Sequence, residues 1–362
     1  MTFSNVSFGD VTDNFDKKRI PLSAAQREKR QGKYRYYGAQ GVIDLVDDYI
    51  FDGTYLLIAE DGENLKSKKS NIAQLASGKF WVNNHAHVIQ CKKGYDIRYL
   101  CYLINLTDLS GYITGSAQPK LSQSSMNAIV LPMPKFEIQK EVADFIEKFD
   151  KKIQINEKVN DNLQQQASAI YQAWFEEFLL SGGSCPSTWK HGILADIANI
   201  TSGKRPSVKF FEMTENAVIP IVGAASIMGY TSESNHTDKI LVTGRVGTHG
   251  VIQRFSSPCW TSDNTLVITS DLYEYTYQLL KRIDYHSMNR GSTQPLITQS
   301  DMNKVPILIP DSETLNNFEL LAGKLMEQYQ SNLLESRKLA ELRDTLLPKL
   351  ISGEIDVSNL QL

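Results

Sequence analysis

The side chains in this sequence best suited to act on a partner are cations and amides set among glycines. Arg245-Val246-Gly247-Thr248-His249-Gly250 puts a guanidinium, a hydroxyl and an imidazole in a turn that glycine can flex. Arg205, Arg254, Asn264 and Arg290 flank it in the second half of the chain. In the first half Lys33, Arg35 and Tyr36 stand together, Lys66, Lys68 and Lys69 cluster in a loop-like segment, and Asn84-His85 follow. Arg and Lys suit phosphates or guanine edges, and Asn suits adenine. Any one of these residues reads equally well as part of a solvated charged loop; as a set they favour contact with a nucleic acid.

Catalytic groups are missing by comparison. No Pro-Pro occurs anywhere, so an Asn/Asp-Pro-Pro-aromatic tetrad is excluded, and there is no Walker loop and no PD followed by ExK. His85 and His87 sit two apart in a strand pattern, hence on one expected face, with no third ligand in view, so no metal site is expected. Cys91, Cys101, Cys185 and Cys259 lack CxxC spacing, which argues against a zinc ribbon or a disulfide scaffold. The 362 residues are 41% hydrophobic and 22% charged, without an apolar run able to cross a bilayer. Met1-Thr2-Phe3-Ser4 shows no signal-peptide pattern, and a cytoplasmic protein is expected. The net charge of -3 opposes tight binding to a polyanion, yet Lys17, Lys18, Arg19, Arg27, Lys29, Arg30, Lys33 and Arg35 crowd one N-terminal stretch.

What must position these groups is a duplicated scaffold. Gly115 to Pro134 reads GSAQPKLSQSSMNAIVLPMP, and Gly291 to Pro310 reads GSTQPLITQSDMNKVPILIP, in register at an offset of 176. Upstream, Phe8-Gly9-Asp10-Val11 answers Leu194-Ala195-Asp196-Ile197 at 186, Leu57-Ile58 with Gly62 answers Val242-Thr243 with Gly247 at 185, and Trp81 answers Trp260 at 179. Length changes are thus confined to the body of each copy. The bodies read as short strands (Thr54–Ala59, Val82–Gln90, Lys239–Thr243, Thr265–Thr269) with one helix each, near Ile97–Leu106 and Tyr273–Ile283, which makes an α+β domain.

The tails read as helices. Val142, Ile146, Phe149, Ile153, Asn156, Asn160, Leu163, Ala167, Ile170 and Trp174 keep a 4-3 spacing, and Phe318, Ala322, Leu325, Tyr329, Asn332, Ser336, Leu339, Arg343, Leu346 and Leu350 repeat it. At ~1.5 Å per residue each helix spans on the order of 60 Å, more than one small domain covers, so the two are expected to pair. The short link Ser181-Gly182-Gly183-Ser184-Cys185-Pro186 starts the second body where the first helix stops, so the pairing must be antiparallel and pseudo-two-fold. Ile153, Leu163, Tyr329 and Leu339 are the expected pairing residues, with Asn156 and Asn332 approaching each other mid-helix. Trp174, Phe175 and Phe178 close the first helix with apolar area for core packing or for partner docking.

Two similar heads on a rod suit a linear, two-sided target such as duplex DNA, whose equivalent grooves recur about every 34 Å. At this point the chain resembles the specificity subunits of type I restriction–modification systems. The two G-S-x-Q-P segments leading into LPMP and ILIP carry the resemblance, with the closing helix LAELRDTLLPKLISGEI from Leu339 to Ile355. It implies target-recognition domains over 1–134 and 183–310, a central spacer helix over 135–182 and a distal one over 311–355. It also implies that each domain reads half of a bipartite double-stranded DNA site, while the helices set the spacing and dock two methyltransferase subunits. Restriction subunits would join the full complex. The chain itself would be non-catalytic and hold no cofactor, S-adenosylmethionine being bound by the methyltransferase. Gln118-Pro119 and Gln294-Pro295, duplicated with the scaffold, are poor candidates for reading different sequences. A coiled-coil scaffold joining two non-DNA proteins is the competing expectation, and a self-sufficient methylating or restricting enzyme a third that the missing motifs disfavour.

Overall fold

The computed structural model describes residues 2–116, 118–288, 290 and 296–360. They form two compact units, Met1–Ile155 with Glu335–Leu362, and Asn156–Leu334. The strands are β1 (Ser4–Ser7), β2 (Thr12–Asn14), β3 (Gln31–Gly38), β4 (Gly41–Val46), β5 (Phe51–Ala59), β6 (Ala73–Val82), β7 (Ala86–Cys91) and β8 (Val130–Met133) in the first unit. In the second they are β9 (Lys190–Ile193), β10 (Asn199–Ser202), β11 (Ile219–Val222), β12 (Ile227–Thr231), β13 (Ile240–Gly244), β14 (Gln253–Phe255), β15 (Trp260–Thr261), β16 (Thr265–Thr269) and β17 (Pro306–Ile309). The longer helices are α1 (Ile97–Leu106), α2 (Phe136–Tyr171), α3 (Tyr273–Leu280) and α4 (Ser312–Ile351).

In the first unit the main sheet runs β2-β7-β5-β6-β3-β4. Every pairing is antiparallel except β3 with β6. Alternate side chains serve two cores. Leu56, Ile58 and Ile89 pack with α1 and α2, whereas Tyr55, Leu57 and Val88 pack with Phe51 and Phe80 on the other face. With both faces buried from Tyr55 to Ala59, that half of β5 reads as an unbroken apolar run rather than an alternating one. A ribbon of β1 and β8 ties the start of the chain to the segment entering α2, Ser4 opposite Met133.

The duplicated segment earns its residue types locally. Gly115 has φ +84°, and a Cβ there would meet the Gln118 carbonyl oxygen at 2.3 Å. Ser122 caps the short helix Gln123–Asn127 by accepting from the Ser125 N–H at 3.1 Å, and Met126 is fully buried beneath it. In the second unit Thr298 caps Gln299–Asn303 in a capping box with Asp301, and Met302 is buried likewise.

The second unit keeps the same strand order with one strand divided. Its sheets run β10-β16-β13-β14 and β12-β11-β15. β14 pairs with β13 as β6 pairs with β5, and β15 lies parallel to β11 as β6 does to β3. The break spans 256–259 and contains Pro258, which has no N–H to give to a ladder. β9 pairs with β17, Lys190 opposite Ile309, matching the first ribbon at offsets 186 and 176.

The helices pair antiparallel within each unit. In the first, Asp150 of α2 meets Arg343 of α4 at 2.6 Å and Lys152 meets Glu335 at 3.1 Å, while Val142 and Phe149 share a core with Leu346 and Leu350. In the second, Leu163 and Ala167 pack with Met326, Leu325 and Tyr329, and Tyr171 packs edge-on to Phe318. None of the twenty seam positions is exposed, Ile153 and Leu339 being half-buried. Each body is locked to a long helix: Arg98 of α1 pairs with Asp144 and Glu147 of α2, both at 2.7 Å, and Glu319 of α4 accepts the Glu274 and Tyr275 N–H groups that open α3.

Four differences from the sequence reading stand out. The strand expected over Val82–Gln90 is broken by a turn at 83–85, and the helix expected over Tyr273–Ile283 stops at Leu280. Helix α2 ends in a wider π-type turn, Gln172–Glu176. The buried amides form a cluster rather than a pair. Asn156 donates to the Asn332 carbonyl at 3.5 Å, Asn332 to the Asn160 side chain at 2.9 Å, and Asn160 to the Tyr329 carbonyl at 3.3 Å. Asn332→Ala removes the donor to Asn160 from a buried seam and should destabilise the second unit by about 1–3 kcal/mol. Urea unfolding should show this as a lower midpoint at unchanged slope. Leucine at all three positions together should be less harmful than that single alanine.

Candidate nucleic-acid interface

The end of β5 is held by a small backbone frame. The Glu60 N–H donates to the His85 carbonyl at 2.9 Å, the Leu121 N–H donates to the Glu60 carbonyl at 2.8 Å, and Asp61 bridges Lys120. The end of β13 repeats it: Arg245 N–H to the Asn264 carbonyl at 2.8 Å, Ile297 N–H to the Arg245 carbonyl at 3.0 Å, and Val246 bridging Leu296. Glycine follows in both, Gly62 at φ +113° and Gly247 at φ +85°, turning the chain away with open space around each. The frame draws the duplicated segment, the β6–β7 turn and the lysine cluster together. Lys66 reaches the Gly115 and Ser116 carbonyls at 3.1 and 3.2 Å, and His85 meets Asp61 at 2.8 Å.

Exposed polar side chains around these frames include Lys66, Lys68, Lys69, Asn84, His85 and Lys120 in the first body, and Thr248 and Asn264 in the second. Arg245 is half-buried and, among the described residues, pairs with no carboxylate. Lys33 and Arg35 are exposed on β3, and Arg205 is exposed in the loop before β11. Two tryptophans pin the basic loops to their sheets in the same manner: the Trp81 indole donates to the Ile20 carbonyl at 2.6 Å, and that of Trp260 to the Lys204 carbonyl at 2.7 Å.

The sequence model of the type I restriction modification DNA specificity domain matches the chain twice, over residues 2–165 and 186–343. The chain belongs to this family. It is similar to the MjaIX type I restriction enzyme specificity subunit of Methanocaldococcus jannaschii, 28% identical over 349 residues covering 84% of this chain and 80% of that one. It is also similar to the HindI type I restriction enzyme specificity subunit of Haemophilus influenzae, 23% identical over 327 residues covering 66% and 71%. The crystal structure of a type I restriction-modification system S subunit from M. genitalium shares the fold, with TM-score 0.63 over 97% of this chain and 96% of that one at 15% identity.

Within this specificity-domain chain several residues expected at a contact surface are turned inward. Tyr36 is fully buried, its hydroxyl accepting from the Leu22 N–H at 2.8 Å. Arg254 is paired with Glu274 and stacked over Tyr273 and Tyr277, at 5.0 and 4.5 Å. His249 is half-buried, one ring nitrogen against the Gly244 carbonyl at 3.1 Å. Lys68 and Arg290 stay exposed but are tied to neighbours, Lys68 donating to the Thr107 carbonyl at 2.8 Å and Arg290 pairing with Asp301. Phe175 is buried in an aromatic cluster with Tyr171, Trp189, Tyr275 and Phe318, and half-buried Trp174 and Phe178 pack on the same core, so these rings fill the second unit rather than a docking face. Gln118 is exposed and Pro119 buried, whereas Gln294-Pro295 lies outside the described residues.

His85 and His87 do not share a face, because the turn at 83–85 resets the alternation: His85 is exposed and His87 is 1% exposed. Both His87 ring nitrogens face oxygen atoms, the Asp16 carboxylate at 2.6 Å and the Leu121 carbonyl at 2.8 Å. Asp16, Glu60 and His87 are close enough to hold a metal ion, but Arg19 pairs with Glu60 at 2.8 Å and Lys120 with its other oxygen at 3.2 Å. Cations of the chain already occupy that place. The sequence reading passed over Glu60, although the offset of 185 that pairs Ile58 with Thr243 also sets Glu60 against Arg245.

Burial disfavours the charge on Asp16 and Glu60, but bonds from His87, Asn14 and Val88 to the first and from Arg19 and Lys120 to the second more than offset it. Both carboxyls titrate below their ordinary range. A carboxyl with a lowered folded pKa adds stability that is present above its unfolded value, near 4, and is lost as the pH falls through the folded one. Urea midpoints of the first unit should therefore drop below about pH 4, and the drop should be shallower in Asp16→Asn.

Proposed function

We propose that the chain is the DNA sequence-specificity subunit of a type I restriction–modification complex, each body reading one half of a bipartite duplex site. The observation that supports this most directly is the repeated frame: one backbone arrangement occurs in both bodies and carries different side chains in each. A scaffold built that way suits two readers of one polymer with two different half-sequences. The paired helices fix the gap between the half-sites and dock two methyltransferase subunits. Those subunits bind S-adenosylmethionine and turn the target base out of the stack, and restriction subunits complete the assembly. The chain contributes recognition, not catalysis.

Exposed Lys and Arg residues away from the frames, such as Lys33, Arg35 and Arg205, take phosphates, which orient a reader without informing it, while polar side chains at the frames take base edges. The net charge of -3 limits what this chain achieves alone. Binding of a duplex library should be weak for the isolated chain and at least about tenfold tighter for its complex with the methyltransferase subunits, weakening steeply with salt. Nanomolar affinity of the chain alone at physiological salt, or affinity of the complex indifferent to salt, would count against the proposal. Host-genome methylation should map to a single bipartite motif.

A further inference from the structure

We infer that the frame positions themselves set which bases are read: Arg245 with Asn264 for one half-site, and Lys120 with His85 for the other. This rests on the proposed function. Residues that tell two half-sites apart must occupy equivalent places in the two bodies, differ chemically between them, and be reachable from outside. The frame positions are equivalent and differ chemically, and Lys120, His85, Asn264 and the half-buried Arg245 are reachable from outside, whereas the Glu60 side chain is only 15% exposed. Glu60 corresponds to Arg245, His85 to Asn264 and Lys120 to Leu296, each pair held by the same backbone bonds at 2.8–3.0 Å or by the same bridge.

The chemistry at these pairs is exchanged rather than merely varied. In the first body the strand position is an anion, Glu60, whose side chain is 15% exposed and turned to Arg19. The outward cation there is Lys120, 53% exposed and only tethered to Glu60 at 3.2 Å, beside the 48% exposed His85. In the second body the strand position is itself the cation, Arg245, and Leu296 stands where Lys120 would be. Each frame so presents one cation beside one ring or amide donor, from different strands and with different geometry. Arg245 offers a planar fork suited to the O6 and N7 of guanine and Asn264 a donor–acceptor pair suited to adenine, whereas Lys120 is a point charge that reads O6 or N7 singly. Lys120 sits inside the duplicated segment, directly after Pro119, at one of the places where the two copies differ.

The test uses the chain assembled with its methyltransferase subunits, acting on a duplex library randomised over both half-sites and read by methylation-sensitive sequencing. Arg245→Ala should relax one base position in one half-site, lowering discrimination there about ten- to hundredfold, and leave the other half-site intact. Lys120→Ala should relax a position in the opposite half-site. Lys204→Ala, at an exposed cation outside the frame, should lower methylation evenly without changing the motif. Arg245→Lys keeps the charge and the fold, and should lose guanine preference through loss of the fork; it carries the test if the alanine variant fails to assemble. A motif unchanged letter for letter in Arg245→Lys and Lys120→Ala, or a uniform loss in both half-sites, overturns the inference. Absence of any bipartite motif with the unaltered chain would instead sink the proposed function.

Discussion

A long helix with one apolar seam cannot remain folded unless something covers that seam, and this chain answers the constraint with its other helix. Each unit therefore pairs part of α2 with part of α4, and the first draws that part of α4 from a stretch that follows the whole second unit in sequence. The first unit's core includes Leu350, Ile351 and Val357 alongside Phe8, Leu56 and Val142. The second joins Tyr171 of α2 to Phe318 of α4 through an aromatic cluster whose edge-to-face contacts add roughly 0.5–1.5 kcal/mol each beyond burial. The buried Asn156, Asn160 and Asn332 give the seam a polar mark that apolar packing alone lacks, since a slipped register would leave their amides unpaired.

On this base the bodies divide labour between backbone and side chain. The ribbons, the capped short helices with Met126 and Met302, and the frames at the ends of β5 and β13 are the same in both units. Side chains at the frames are not. Constancy of main-chain hydrogen bonds lets the exposed residues change without moving the platform they stand on. Buried His87 with half-buried Asp16, Glu60 and Arg19 extends this in the first body, fixing the frame from behind with charge.

Much of this was legible in the sequence because it depends on period and repetition. The 4-3 spacing located both helices and their buried seams, and the constant offset of 176 after Gly115 marked the parts that cannot change length. What stayed hidden depends on which way a side chain turns. Tyr36 and Lys33 look alike in a basic aromatic stretch, yet alternation along β3 buries one and exposes the other. Arg254 reads as a free cation until Glu274 and two tyrosines close around it. His85 and His87 mislead because a three-residue turn interrupts what composition presents as one strand. Phe175 could have served a partner, but a ring that fits among Tyr275, Trp189 and Phe318 stays inside.

The interleaving of the two units also fixes an order of events during synthesis. The second unit is a single uninterrupted segment, Asn156–Leu334, and all its contacts are available once that stretch has left the ribosome. The first begins earlier but takes Leu350 and Val357 from beyond the second unit's segment, so that part of its core is completed afterwards, while the cluster on the other face of its sheet lies wholly within residues 15–88. Contacts spanning that separation form late. The helix-side core of the first unit is consequently closed only after the second unit's segment has been made.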